Sequence, residues 1–102
     1  MQLKDVTSLL LSLENATGPS QEGVIRELGE LLGEIGIVDI VDVIASIQTI
    51  DLFKKTNKPD EFGLKIIDSI ESALILRARR LYRDGNPSEK EVLKEVFGSK
   101  LD

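Results

Sequence analysis

The 102-residue sequence contains neither cysteine nor histidine. Without cysteine, disulfide frameworks, thiolate metal ligands and thiol nucleophiles are excluded. Without histidine, zinc sites built on imidazole and reactions that use imidazole as the base are excluded as well. A chain without cysteine fits a reducing compartment, and because no signal-peptide pattern is present we expect a cytoplasmic protein.

Long apolar runs are also missing, since none exceeds four residues. Crossing a bilayer takes about 20 apolar residues in a helix, so we expect no membrane-spanning segment. The net charge is −5, with two positive and nine negative residues over 1–51 and eleven positive and nine negative residues over 52–102. An acidic chain is a poor nonspecific binder of nucleic acid, although a local basic patch remains possible in the second half.

Helical periodicity is the dominant pattern of apolar residues in the sequence. Apolar residues recur at steps of three and four throughout the chain, which predicts an all-α, bundle-like fold of five helices. We place four long helices over about residues 3–16, 21–35, 37–56 and 61–83, and a short C-terminal helix over 88–97. Asp60 is expected to cap the fourth helix, and either Asn86 or Ser88 to cap the fifth. Residues 1–102 are expected to form a single helical domain.

The third helix is expected to be the central, buried one. Eleven of the 17 residues over 37–53 are apolar. Its polar residues Asp39, Asp42, Ser46 and Thr49 recur at helical steps and fall within about 80° of arc at ~100° per residue. The pattern therefore predicts one narrow solvent-facing stripe, with protein covering the rest of the helix.

The long helices carry more apolar surface than one thin layer of neighbours would cover. The excess positions, predicted to form an interface, are Val43, Ile50, Leu64, Ile75 and Leu76. An isologous two-fold contact is the commonest way to cover such surface, so we expect a homodimer or binding to another helical protein. The expected function is a non-catalytic helical interaction or assembly protein without a cofactor.

One charged pair is predicted inside the bundle. Arg77 falls among the apolar positions of the fourth helix, and an inward arginine needs a partner. Asp51 lies on the side of the third helix opposite the predicted solvent-facing stripe that begins at Asp39. We therefore predict a buried structural ion pair between Asp51 and Arg77, which would fix the register of the two helices.

The remaining arginines suggest a second possible function. Arg79, Arg80 and Arg83 follow closely on Arg77, with Tyr82 among them. Cations at the C-terminal end of a helix complement its dipole, which explains the cluster without a ligand. Guanidinium groups beside an aromatic ring also suit phosphate and base contacts, so a nucleic-acid-contacting protein is an alternative.

Acidic residues three positions apart suggest a third possible function. Glu27 and Glu30 project from one helix face, and Asp39 and Asp42 from another. Two such pairs on facing helices can hold Mg²⁺. Carboxylates are common on solvent-exposed helix faces without a bound metal, and we predict no metal site.

The runs ELGE, residues 27–30, and DIVDV, residues 39–43, resemble the all-α nucleoside triphosphate pyrophosphatases of the MazG type. That family places ExxE on one helix and ExxD on the next. Asp39 stands where glutamate is usual, Arg26 where a further glutamate often precedes the first pair, and the intervening loop is shorter. The resemblance implies a Mg²⁺-dependent phosphohydrolase, an alternative in which Glu27, Glu30, Asp39 and Asp42 are the metal ligands.

Overall fold

The computed structural model describes residues 3–14 and 20–101, which form five α-helices and a terminal 3₁₀ turn. No strand occurs in these two segments, and the predicted all-α fold is confirmed. The predicted end of the first helix at residue 16 lies outside the described residues. The elements are α1 (Leu3–Glu14), α2 (Ser20–Ile35), α3 (Ile40–Asn57), α4 (Glu61–Asp84), α5 (Pro87–Phe97) and the turn Gly98–Leu101.

The helices pack as a bundle around α3 and α4. Helix α4 contacts α2, α3 and α5, while α3 also contacts α1 and α5, and α1 contacts α2. Within the described part of the chain, no helix combines the length and apolar character that crossing a membrane would require.

Side-chain caps set the starts of the last two helices. The Asp60 carboxylate accepts a 2.8 Å hydrogen bond from the Gly63 amide and so starts α4 at Glu61. At α5, Asn86 accepts from the Glu89 amide and Glu89 accepts from the Asn86 amide, which makes a capping box. Of the two predicted caps for α5, the structure therefore has Asn86.

Helix α3 begins three residues later than predicted. Asp39 is its N-cap, because the Asp39 carboxylate accepts a 2.9 Å hydrogen bond from the Asp42 amide. Ile37 consequently lies in the turn before the helix and is exposed. At the other end, Lys58 adopts a left-handed backbone with φ 43° immediately before Pro59, which cannot continue a helix.

One apolar cluster drawn from all five helices forms the core. Helix α4 turns one apolar stripe toward the core, with its residues at regular helical steps, and it also carries the exposed apolar residues Leu64 and Leu76. The buried residues of that stripe are Ile66, Ile67, Ile70, Leu74 and Ala78.

Candidate functional site

The strongest candidate site is the outer face of α3. The inner face fills the core with Val43, Ile47 and Ile50. On the opposite side Val41 is 70% exposed and Leu52 is 62% exposed. A helix that is apolar on both sides normally lies between two protein layers, and here only one layer is present. The single chain therefore leaves uncovered much of the helix that was predicted to be surrounded.

Four residues at steps of four, three and four form this outer face. At ~100° per residue they fall within about 60° of arc, which is a narrow seam along the helix. We call this seam the α3 stripe, and its members are Val41, Ala45, Gln48 and Leu52. The sequence contains this spacing, but it does not show that this side of the helix is the exposed one, because apolar residues also occupy the other side.

Each end of the α3 stripe borders an apolar groove. Beside Val41, helix α5 contributes Val92, and the groove between them has a volume of about 270 Å³. Beside Leu52, helix α1 contributes Leu10 and Leu11 to a second groove. Val92 and Leu11 are themselves exposed. The apolar surface is therefore wider than one helix, and the sequence analysis had not assigned Val92 or Leu11 to it.

Charges of opposite sign flank the two ends of α3. Asp39 and Asp42 lie at the N-terminal end, and the C-terminal end carries three lysines, Lys54, Lys55 and Lys58, against one aspartate, Asp51. Lys55 and Lys58 are exposed. The helix is thus acidic at one end and basic at the other, with the apolar stripe between.

The predicted interface residues divide into two groups. Val43 and Ile50 were predicted to face a partner, but both are fully buried in the protein's own core, so this part of the prediction is wrong. Helix α3 is rotated so that these two residues, rather than Val41 and Leu52, contact the other helices. Leu64 and Leu76 are exposed on α4, and Ile75 is half-buried.

The predicted buried pair of Asp51 and Arg77 is not formed. Asp51 is exposed, because it lies at the edge of the inner face of α3 and not at its centre. Arg77 is half-buried and donates a 2.8 Å hydrogen bond from its Nε to the carbonyl oxygen of Val38. A backbone carbonyl, and not a carboxylate, is therefore the partner of the inward arginine.

The ion pair that does join α3 to α4 was missed by the sequence analysis. Lys54 Nζ lies 2.9 Å from Oε1 of Glu71, whose side chain is only 14% exposed. This hydrogen bond raises the pKa of Lys54 above its ordinary value of 10.5, and the charges of Glu71, Asp51 and Asp68 add to the effect against the desolvation of the ammonium group. Lys54 lies one turn after Ile50 on the inner face, which is the signal that could have identified it.

The other arginines of α4 lie on the surface. Arg79 donates a 2.8 Å hydrogen bond from its Nε to the carbonyl oxygen of Lys100, so it anchors the C-terminal turn to α4. The Nε of Arg83 lies 3.7 Å from Oδ1 of Asp84. Arg80 borders a groove lined by Leu32 and Leu76. All three proposed phosphate contacts are exposed; Arg79 has a hydrogen-bond partner and Arg83 an ion-pair partner.

The acidic pairs lie in different settings. Glu27 and Glu30 border a hollow between α1 and α2, where Glu27 accepts a 3.4 Å hydrogen bond from the Ser12 hydroxyl. Asp39 caps α3. Across residues 3–14 and 20–101, no group of three or more acidic side chains is arranged to hold a metal ion. The structure does not bring the four carboxylates of the pyrophosphatase resemblance together as one ligand set.

Neither the outer face of α3 nor the arginine end of α4 has a counterpart from which a function could be read. The chain matches no protein-family model, no curated protein and no solved structure.

Proposed function

We propose that this chain is a non-catalytic helical assembly protein that self-associates, as a homodimer, through the apolar outer face of α3. The observation that carries the proposal is the exposure of Val41 and Leu52 on a helix whose opposite face fills the core. Apolar residues scattered singly need no explanation, but exposed apolar residues grouped along one helix and the flanking sides of its neighbours indicate an interaction surface on a small protein. The cytoplasmic location expected from the composition is part of this proposal.

The size of the surface suits a small dimer interface. Helix α3 has 18 residues, so at ~1.5 Å per residue it is about 27 Å long. With the flanking sides of α1 and α5 the strip is about two helices wide, so at ~10 Å per helix it covers roughly 540 Å², about two thirds of the roughly 800 Å² that each partner contributes to a typical stable complex. Burying a valine or leucine side chain fully is worth on the order of 1.5–3 kcal/mol, so covering Val41 and Leu52 supplies a substantial share of the binding free energy.

Sedimentation equilibrium of the full chain over a wide dilution range tests the proposal. We expect a dimer for the native chain and a monomer for the double variant Val41→Gln/Leu52→Gln. The matched control is Ile25→Gln/Leu76→Gln, because these two residues are 54% and 59% exposed but lie on other helices. Far-UV circular dichroism checks that all three proteins keep their helix content.

The control should remain dimeric. A native chain that sediments as a monomer at every concentration would overturn the proposal. A control variant that dissociates as completely as the α3 variant would also count against it, because the interface would then not be specific to α3.

Contact with nucleic acid through the end of α4 is the second candidate function. It is favoured by the exposure of Arg79, Arg80 and Arg83 at one end of the bundle. A mobility shift with DNA or RNA that weakens steeply with salt, and that is lost in the variant Arg80→Gln/Arg83→Gln, would support it, since phosphate contacts release counterions. The absence of any shift at low salt would exclude it.

A further inference from the structure

We infer that the partner of the α3 stripe is the α3 stripe of a second copy of the chain, docked antiparallel, with Val41 opposite the partner's Leu52 and Ala45 opposite the partner's Gln48. This arrangement rests on the self-association proposed above and specifies its geometry. Three observations support it: the spacing of the stripe, its side-chain sizes, and the charges at its two ends.

The spacing of the stripe is the same in both directions. Its four residues follow each other at steps of four, three and four, so reversing the helix reproduces the pattern. Alternating steps of three and four are also those by which two helices interlock side chains along a shared seam. Two copies related by a two-fold axis midway between Ala45 and Gln48 therefore place every member of the stripe against a member of the partner's stripe.

Side-chain size favours the antiparallel order over the parallel one. In antiparallel order each small Ala45 faces a Gln48, whose amide can pass the alanine and reach water at the edge of the seam. In parallel order two glutamines would meet in the apolar seam and two alanines would leave a gap beside them. An amide without a hydrogen-bond partner and an unfilled space both cost free energy.

The grooves at the two ends of the α3 stripe also favour the antiparallel order. Val41 borders the groove that contains Val92, and Leu52 borders the groove that contains Leu11. Antiparallel docking brings the longer partner side chain, the partner's Leu52, to the α3–α5 groove. The shorter one, the partner's Val41, comes to the α1–α3 groove. Each end of the stripe then buries apolar surface from two helices of its own chain.

The net charges at the two ends of α3 also favour the antiparallel order. Antiparallel docking brings the acidic end of α3, with Asp39 and Asp42, near the basic end of the partner's helix. Lys55 and Lys58 are available there, whereas Lys54 is already bonded to Glu71. The exposed Asp51 lies level with the partner's Asp42 in this register and offsets part of the attraction. The helix dipoles are then opposed as well. Parallel docking would bring like charges together at both ends, and electrostatic complementarity of this kind determines which arrangement forms.

Disulfide trapping tests the order directly, because the native chain contains no cysteine. The single variants Val41→Cys and Leu52→Cys are each oxidised alone and as an equal mixture, and the linked peptides are identified by mass spectrometry. We expect the linked species in the mixture to join position 41 to position 52, and to be lost when either variant is oxidised alone. Leu76→Cys, exposed on α4, is the control for random collision and should not be linked above background.

Two outcomes overturn the inference while leaving self-association standing. Linkage of each variant to itself, with no mixed product, would show a parallel order. A dimer in sedimentation that yields no linkage at position 41 or 52 would show that another surface mediates association. A monomer in sedimentation would instead remove the proposed function, and the antiparallel order would fall with it.

Discussion

Arg77, in the second half of α4, donates a 2.8 Å hydrogen bond from its Nε to the carbonyl oxygen of Val38. Val38 is buried in the segment between α2 and α3, directly before the N-cap Asp39. The contact therefore ties the longest helix to the start of α3. Because the first turn of α3 carries Val41, this hydrogen bond also helps to hold one end of the α3 stripe in place.

Replacing Arg77 with methionine should lower the free energy of unfolding by about 1–2 kcal/mol. Methionine keeps an unbranched apolar stem but removes the charged donor, which leaves the Val38 carbonyl without this partner in a half-buried position. Hydrogen bonds from charged groups contribute roughly 1.5–3 kcal/mol, and partial exposure of Arg77 reduces that value. Urea unfolding followed by circular dichroism measures the change.

Arg80→Met is the matched control, since Arg80 is exposed on the same helix and three residues away. Surface substitutions of this kind usually change stability by less than about 0.5 kcal/mol. Equal losses for the two variants would mean that the Arg77–Val38 hydrogen bond contributes nothing specific.

The sequence predicted most accurately the features that depend on a strong local pattern. Helix α4 buries Ile66, Ile70 and Leu74 at the steps of three and four that helical periodicity predicts, although Leu64 and Leu76 on its other side are exposed. The cap Asp60 was also predicted correctly, because a side chain that bonds a backbone amide three residues later depends on local sequence alone. Local periodicity and capping chemistry were sufficient in these cases.

Helix α3 shows where such reasoning fails. Val41 and Val43 are the same residue type, yet one is exposed and the other fully buried. Because apolar residues occupy both sides of the helix, the sequence pattern gives no preferred direction, and packing against α1, α4 and α5 determines which side turns inward. For the same reason Ser46 was predicted to face solvent and is buried, whereas Asp51 was predicted to face inward and is exposed.

The contribution of Lys54 to stability should depend on pH in the alkaline range. Its pKa is raised in the folded protein, chiefly by the hydrogen bond to Glu71, so folding favours the protonated lysine. The stabilisation is therefore fully present below the ordinary value of 10.5 and is lost as the pH rises through the higher pKa of the folded state. We expect Lys54→Met to be less stable than the native chain near neutral pH, and the difference to shrink at pH values above 10.5.

Urea unfolding of both proteins across this range measures the difference. Lys65→Met is the control, because Lys65 lies 3.7 Å from Glu61 in a pair that is exposed at both ends and should contribute almost nothing at any pH. A difference between Lys54→Met and the native chain that stays constant up to strongly alkaline pH would contradict the assigned role of the ion pair.

Ser46→Ala should leave stability unchanged or raise it by up to about 1 kcal/mol, since it removes a desolvated hydroxyl and adds a better helix former. Ser46 is fully buried in α3, and its hydroxyl has no hydrogen-bond partner among the described residues. The exposed Ser72 of α4 provides the control, because Ser72→Ala reports the helix-propensity part alone. Thermal unfolding of both variants gives the comparison, and a loss above about 1 kcal/mol in Ser46→Ala would indicate that the hydroxyl is satisfied in the native protein.

Two glycine-to-alanine substitutions in helices should change stability in opposite directions. At Gly29, in α2, an added Cβ would have no atom within 4 Å, so Gly29→Ala should stabilise by about 0.5–1 kcal/mol through helix propensity. At Gly63, in α4, an added Cβ would lie 2.9 Å from the Cβ of Pro59 and 3.3 Å from the Asp60 carboxylate. Because the proline ring is rigid and Asp60 is the helix cap, Gly63→Ala should destabilise by about 1–3 kcal/mol despite the same gain in propensity.

Urea unfolding at one fixed protein concentration measures both changes, since self-association would otherwise shift the apparent stability. The two variants control for each other, because the chemical change is identical and only the space around the new methyl group differs. A stabilised Gly63→Ala would mean that Pro59 can move away from the start of α4, and the cap at Asp60 would then be looser than its 2.8 Å hydrogen bond to the Gly63 amide indicates. A destabilised Gly29→Ala would instead show that the open side of α2 is covered by a partner in solution.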